Sequence, residues 1–160
     1  MVEIERKFLV QSQEFIHLAT HHEFIAQGFL SVDPARVVRV RVLNTGGKLT
    51  VKGQSSSDGT SRFEWEQSLS SEEAQALFSL CLPGRIEKTR YFVPAGTHTF
   101  EVDVFSGENL GLVIAEIELS RADETFDHPE WLGSEVTGDP RYYNANLTKF
   151  PFNQWGSSTH

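Results

Sequence analysis

The chain has one cysteine, Cys81, in 160 residues. It can form no internal disulfide. Its thiol sits in an apolar stretch and reads as a small buried hydrophobe, suited to a reducing cytoplasm. No apolar run approaches the ~20 residues that span a bilayer, so no membrane partner is expected. The chain opens directly on a charged segment, which argues against a signal peptide. Cations are scarce: 14 Lys and Arg stand against 22 Asp and Glu, giving a net charge of −8. A protein that grips a nucleic-acid backbone needs a basic face, so no nucleic acid is expected as a partner. A small anionic ligand is not excluded, because local placement of charge outweighs the total. Internal repeats and linkers are also missing. The length suits one domain, residues 1–155, with a flexible tail at 156–160.

What the sequence has is alternation. In residues 2–10, Glu3, Glu5 and Lys7 fall on one strand face, and Val2, Ile4, Phe8 and Val10, with Arg6 among them, on the other. The pattern recurs. Arg39 and Arg41 alternate with Val38, Val40 and Val42; Thr50 and Lys52 with Leu49 and Val51; Arg62, Glu64 and Glu66 with Phe63 and Trp65. Lys88 and Arg90, Glu101 and Asp103, and Glu116 and Glu118 follow, each doublet backed by apolar neighbours. Residues 24–31 read as a further strand. Turns are marked at Asp33-Pro34, at Asn44 to Gly47, at Pro94-Ala95-Gly96 and at Ser106 to Asn109, and residues 53–61 form a polar loop.

Helices are fewer. Ser12 can cap a helix running to about His22, which would set His17, His21 and His22 at its end as solvated groups rather than a metal cluster. Ser70-x-x-Glu73 is a capping box opening a helix that stops at Pro83-Gly84. Pro129 to Gly133 suggests a short helix, and Asp139-Pro140 an N-cap leading into Arg141–Thr148.

Antiparallel strands in this number curl and close, which removes exposed edges. Two closures satisfy the pattern. With apolar faces inward the barrel has a charged exterior. With charged faces inward the lumen is polar and helices cover the outside. Doublets of one sign favour the second, because ordinary surface faces mix signs and neutral polar residues. So do Phe63, Trp65, Tyr91 and Phe100, which suit a covered surface. A lumen of that kind is costly unless ligands use it, since buried charges must be paired or hold metals. Carboxylate oxygens suit Mg²⁺ or Mn²⁺, and Arg and Lys suit polyphosphate oxygens.

The segment Glu-Ile-Glu-Arg-Lys at 3–7 resembles the E-x-E-x-K signature of the CYTH superfamily, the triphosphate tunnel metalloenzymes. The charged doublets on the later strands extend the resemblance over roughly residues 1–149, and the stretch from Trp131 to Asn144 is similar to small bacterial members. The resemblance implies an α+β, mainly β fold: an antiparallel eight-stranded closed β-barrel with a charged lumen, covered outside by helices. It implies that Glu3, Glu5 and Glu118 hold a substrate-bridging metal, Mg²⁺ or Mn²⁺. Glu64, Glu66, Asp103 and Glu116 would serve a second metal or orient the attacking water. Lys7, Arg39, Arg41, Lys52, Arg62, Lys88 and Arg90 would grip the phosphates. Glu3, Glu5, Lys7, Glu66 and Glu116 stand as the catalytic group. Lys149 reads as a solvated helix-end lysine rather than a group at the tunnel mouth. The expected reaction is metal-dependent hydrolysis of a small-molecule triphosphate, foremost inorganic tripolyphosphate, in a cytoplasmic protein; a homodimer is compatible with it. A class IV adenylyl cyclase is less favoured, because the His-Phe pair of that subgroup is not found near the signature. Thiamine or nucleoside triphosphatase, and a non-catalytic polyphosphate or nucleotide sensor, stay open.

Overall fold

The structure, a computed structural model, describes residues 1–156. The tail expected at 156–160 therefore lies, beyond Gly156, outside the described residues. Strands β1 (Val2–Val10), β2 (His21–Ser31), β3 (Arg36–Leu43), β4 (Gly46–Gly53), β5 (Ser61–Leu69), β6 (Ile86–Ala95), β7 (His98–Phe105), β8 (Val113–Glu118) and β9 (Leu132–Glu135) make up the sheet. Helices α1 (Phe15–Leu18), α2 (Ser71–Phe78) and α3 (Asn144–Leu147) are short.

Eight strands close on themselves in the order β5-β4-β3-β2-β6-β7-β8-β1, and β1 returns to β5 through Glu3 opposite Arg62. Every pairing around the ring is antiparallel. The first half of β1 pairs with β5, and its end, Phe8 to Val10, pairs with the extra strand β9. The eight-stranded closed barrel that the resemblance implies is thus present.

Both faces of the barrel wall are packed in part. Outside β1, β7 and β8, the side chains of Phe8, Phe100, Val102, Ala115 and Ile117 form a core under Phe15, Trp131 and Phe126. Trp131 meets Phe100 edge-on with ring centroids 5.2 Å apart. Inside, the charged rows change character along the strands. On β1 Glu3, Glu5 and Lys7 are followed by Leu9; on β3 Arg41 and Arg39 give way to Val37; on β6 Arg90 and Lys88 to Ile86. On β8 Glu118 and Glu116 give way to Ile114, and on β7 Glu101 and Asp103 to Phe105. These apolar ends pack together with Phe29 and Leu112 beneath Tyr142, Leu147 and Trp155. The C-terminal segment thereby covers one end of the lumen.

Several local expectations are corrected. Helical cover is slight. Helix α2, with both hydrogen bonds of its capping box in place (3.1 and 2.9 Å), packs on β3 and β4, where a Cβ on Gly47 would come within 2.6 Å of Ala74. The outer face of β5 is left open, with Phe63 47% and Trp65 37% exposed. The helix expected from Ser12 to His22 is one turn, because Thr20 and the residues after it pair with β6 instead. His21 and His22 then point to opposite strand faces, and the His21 ring stacks on Phe92 at 4.2 Å. The helix expected at 129–133 is replaced by β9, which satisfies the open edge of β1. The helix expected at 141–148 is split. Asp139 accepts from Arg141 N (3.1 Å) at a 3₁₀ turn over Pro140–Tyr142, Tyr143 is extended, and α3 follows. Cys81 is half-buried rather than buried. Among the described residues no helix is long and apolar enough to cross a membrane.

Candidate active site in the lumen

The lumen encloses a cavity of about 620 Å³ lined by seven glutamates and eight lysines and arginines. Strand order sorts them. Strands β5, β1, β8 and β7 are contiguous and supply all seven acids: Glu64, Glu66, Glu3, Glu5, Glu118, Glu116 and Glu101. Strands β6, β2, β3 and β4 are also contiguous and supply Arg90, Lys88, Arg41, Arg39, Lys48 and Lys52, with no carboxylate on the lining. Lys7 and Arg62 are the two cations set within the acidic arc, where both face the Tyr143 ring, at 5.0 and 5.9 Å. The closed barrel therefore presents an acidic wall to a basic one.

Of the residues expected in the site, all but one line this cavity. The exception is Asp103. It is fully buried, and Arg90 donates to its two oxygens at 2.8 and 3.0 Å while Lys88 lies 2.8 Å away. Asp103 thus braces two cations from behind. Glu66 sits at the rim with Lys48 (3.2 Å) and Thr50 (3.2 Å), and Glu118 is exposed there too. Lys149 is exposed and does not line the cavity.

The acids are unevenly compensated. Lys52 bridges Glu3 (3.2 Å) and Glu64 (3.4 Å). Burial pushes the Glu3 carboxyl up, against the pull of Lys52, and its hydrogen bond with Glu64 adds to the rise. Burial also holds Glu5 well above the usual carboxylate range, aided by the charge of Glu116. Their partners move the other way. Burial would raise Glu116 and Glu64, but Lys7 and Arg90 for the first, and the Glu3 hydrogen bond and Lys52 for the second, hold both below the usual range. Glu5 with Glu116, and Glu3 with Glu64, are therefore paired carboxyl groups whose proton affinities are driven apart, upward at Glu5 and Glu3 and downward at Glu116 and Glu64. Among the described residues no three carboxylate, imidazole or thiol groups stand ready-gathered as a metal cage.

On the basic wall, burial lowers Lys88 to about 7, since Arg90 and Arg41 repel it and Asp103 only partly compensates. Asp103 itself stays ionised: burial would raise it, but Arg90 above all, then Lys88, outweigh that. Of the two cations that share Asp103, Lys88 is the more weakly held. Arg41 is lowered to about 9 by burial and by Arg39 and Arg90, and so remains charged at neutral pH. Arg39 donates to Thr50 (3.2 Å), but its buried Nε has no partner.

Sequence reasoning missed several participants. Gln27, fully buried on β2, accepts from Arg41 and donates to Asn144. Asn144 also accepts from Lys88 at 2.8 Å. Lys48, Thr50 and Tyr143 complete the surroundings. Gln27 is a lone amide within the apolar run at residues 24–30, a faint signal; Asn144 carries none.

Comparison with known proteins agrees with this architecture. An inorganic triphosphatase of Acetivibrio thermocellus is 48% identical over 151 residues, 94% of this chain and 95% of that one. An inorganic triphosphatase of Nitrosomonas europaea is 37% identical over 152 residues, 92% and 97% of the two chains. A crystal structure of an inorganic triphosphatase superposes with a TM-score of 0.62 at 32% identity, covering 91% of this chain and 97% of the other. A conserved protein of Pyrococcus furiosus, 19% identical with a TM-score of 0.60, shares the fold. With the CYTH domain model matching residues 1–147, the chain belongs to the CYTH domain family.

Proposed function

We infer that the protein is a triphosphatase that hydrolyses inorganic tripolyphosphate to pyrophosphate and phosphate, with Mg²⁺ or Mn²⁺ as cofactor. The observation that carries this reading is the division of the lumen into a carboxylate arc facing a cationic arc. Relatives named for this activity match nearly the whole chain.

The donor set fits a hard divalent cation. Glu3, Glu5 and Glu116, with Glu64 and Glu118 beside them, offer carboxylate oxygens alone, and burial raises the proton affinity of Glu3 and Glu5, where a cation would compete with the proton. A bound Mg²⁺ or Mn²⁺ would neutralise phosphate oxygens and act as a Lewis acid at the scissile anhydride.

The chain's own groups do the rest. Arg39, Arg41, Arg90, Lys52 and Lys88 bind the phosphate oxygens and offset charge as it moves to the leaving pyrophosphate. Glu116, kept ionised, orients the attacking water and takes up its proton as the phosphorus–oxygen bond to pyrophosphate breaks. Asp103 holds Arg90 and Lys88 in position. The scarcity of cysteine agrees with a cytoplasmic setting. The test is phosphate release from tripolyphosphate, ATP and thiamine triphosphate, with Mg²⁺, Mn²⁺ or EDTA. Fastest metal-dependent turnover of tripolyphosphate is the expected result. Binding without turnover would make the protein a sensor instead.

A further inference from the structure

Two side-chain amides at the covered end of the lumen have their orientations fixed by what surrounds them. A guanidinium only donates, so the Gln27 atom that meets Arg41 Nε (3.1 Å) and Nη2 (3.0 Å) is Oε1. Gln27 Nε2 is thereby turned toward Asn144, where it donates to Oδ1 at 2.8 Å. Lys88 Nζ, itself 2.8 Å from Asp103, donates to the same Oδ1 at 2.8 Å. Two donors on Oδ1 direct the Asn144 NH₂ group away from both. Asn144 lines the cavity, and its Nδ2 makes no hydrogen bond with any described residue. The residue is held firmly by one atom while the other is left as a donor without an acceptor.

We propose that Asn144 is a substrate-binding residue, its Nδ2 donating to a non-bridging oxygen of the phosphate lying nearest the C-terminal segment. The identity of the ligand rests on the triphosphatase reading. A neutral donor at this point has a physical advantage. Lys88, Arg90 and Arg41 already crowd the basic wall and repel one another, and a further cation would add to that. An amide supplies a hydrogen bond without charge. The C-terminal segment would then do two things, covering the apolar end of the lumen and contributing a contact to the substrate.

Asn144→Asp separates this role from a merely bracing one. The substitution is isosteric and keeps an acceptor for Lys88 and Gln27, but it replaces the free donor with an oxygen that repels phosphate. The expected result is a melting temperature like that of the wild type, with KM for tripolyphosphate raised at least ~tenfold and kcat changed less, since the contact exists in ground and transition states alike. Asn144→Ser, which can still accept and donate, should recover part of the loss. Calorimetric titration of tripolyphosphate in EDTA should show the same ratio between wild type and Asn144→Asp. Wild-type KM and wild-type affinity in folded Asn144→Asp would overturn the proposal. Should the wild type fail to turn over tripolyphosphate, the hydrolase reading falls, and the calorimetric ratio alone decides the role of Asn144.

Discussion

On the basic wall of the lumen, Arg41 rests on Gln27, Lys88 on Asn144 and Asp103, and Arg90 on Asp103 through two hydrogen bonds. On the acidic wall, Glu5 meets Glu116 and Glu3 meets Glu64, with Lys52 spread between Glu3 and Glu64. One wall is organised in advance by neutral amides and a single buried aspartate. The other crowds carboxyl groups whose proton affinities burial and neighbouring charges drive apart. Pre-organised donors suit a substrate whose negative charge arrives already formed. Crowded carboxylates suit a cation that arrives with it, and active sites commonly sacrifice stability in this way.

The sharpest break between the walls is expected at Asp103, the fully buried acid that braces Arg90 and Lys88 from behind. Asp103→Asn strands Arg90 and Lys88 in a buried setting and should lower unfolding stability by about 3–5 kcal/mol in urea titrations. A loss of under about 1 kcal/mol would show that the two cations hold themselves without it. Glu3→Ala should act oppositely: a folded protein, no less stable, with turnover cut at least ~100-fold. Near-normal rates at modest Mg²⁺ would remove Glu3 from the metal site. Arg41→Ala should reduce kcat/KM about tenfold, and Arg41→Lys should rescue only part, because an ammonium cannot reproduce the fork on Gln27 and phosphate. Full rescue by lysine would reduce Arg41 to a point charge.

The smallest effect is a slope. Lys88 loses its proton near pH 7 when folded, far below its unfolded value of about 10.4. Between those limits the unfolded chain binds more protons, so stability rises with pH, by up to about 1.4 kcal/mol per unit, and the cost of burying the ammonium is fully present below pH 7. Unfolding of the ligand-free protein at pH 7 and pH 9 should show the rise, and Lys88→Met should flatten it. Equal slopes in the two proteins would mean that Asp103 keeps Lys88 charged throughout.

Most of the charged lumen was legible because it is a local property. A doublet such as Lys88 and Arg90, spaced by two and backed by Ile86 and Tyr91, announces a strand with one charged face. The division into two walls was not legible, since it depends on β2 entering between β3 and β6, a pairing of residues 21–27 with 86–92 that no local pattern encodes. Asp103 shows the limit within one doublet: it shares a face with Glu101, yet ends behind the cavity because Arg90 lies directly opposite it. Gln27 and Asn144 were missed for another reason. Neutral amides give no charge pattern, and their importance comes from which donor-only groups surround them. The segments at 12–22 and 129–133 had helical punctuation, but the edges of β6 and β1 offered more backbone hydrogen bonds than a short helix could.

The acidic wall is unfavourable when empty and indispensable when loaded, and Glu5→Gln separates the two properties in one variant. The amide removes a buried carboxyl whose proton affinity burial and Glu116 already raise, while keeping its shape. Melting curves of the ligand-free protein and initial rates of tripolyphosphate hydrolysis with Mg²⁺ should be measured on the same preparation, beside the wild type. The predicted result is a melting temperature equal to or above the wild type together with turnover reduced at least ~100-fold. A variant that turns over at the wild-type rate, or one that melts well below the wild type, would contradict the claim.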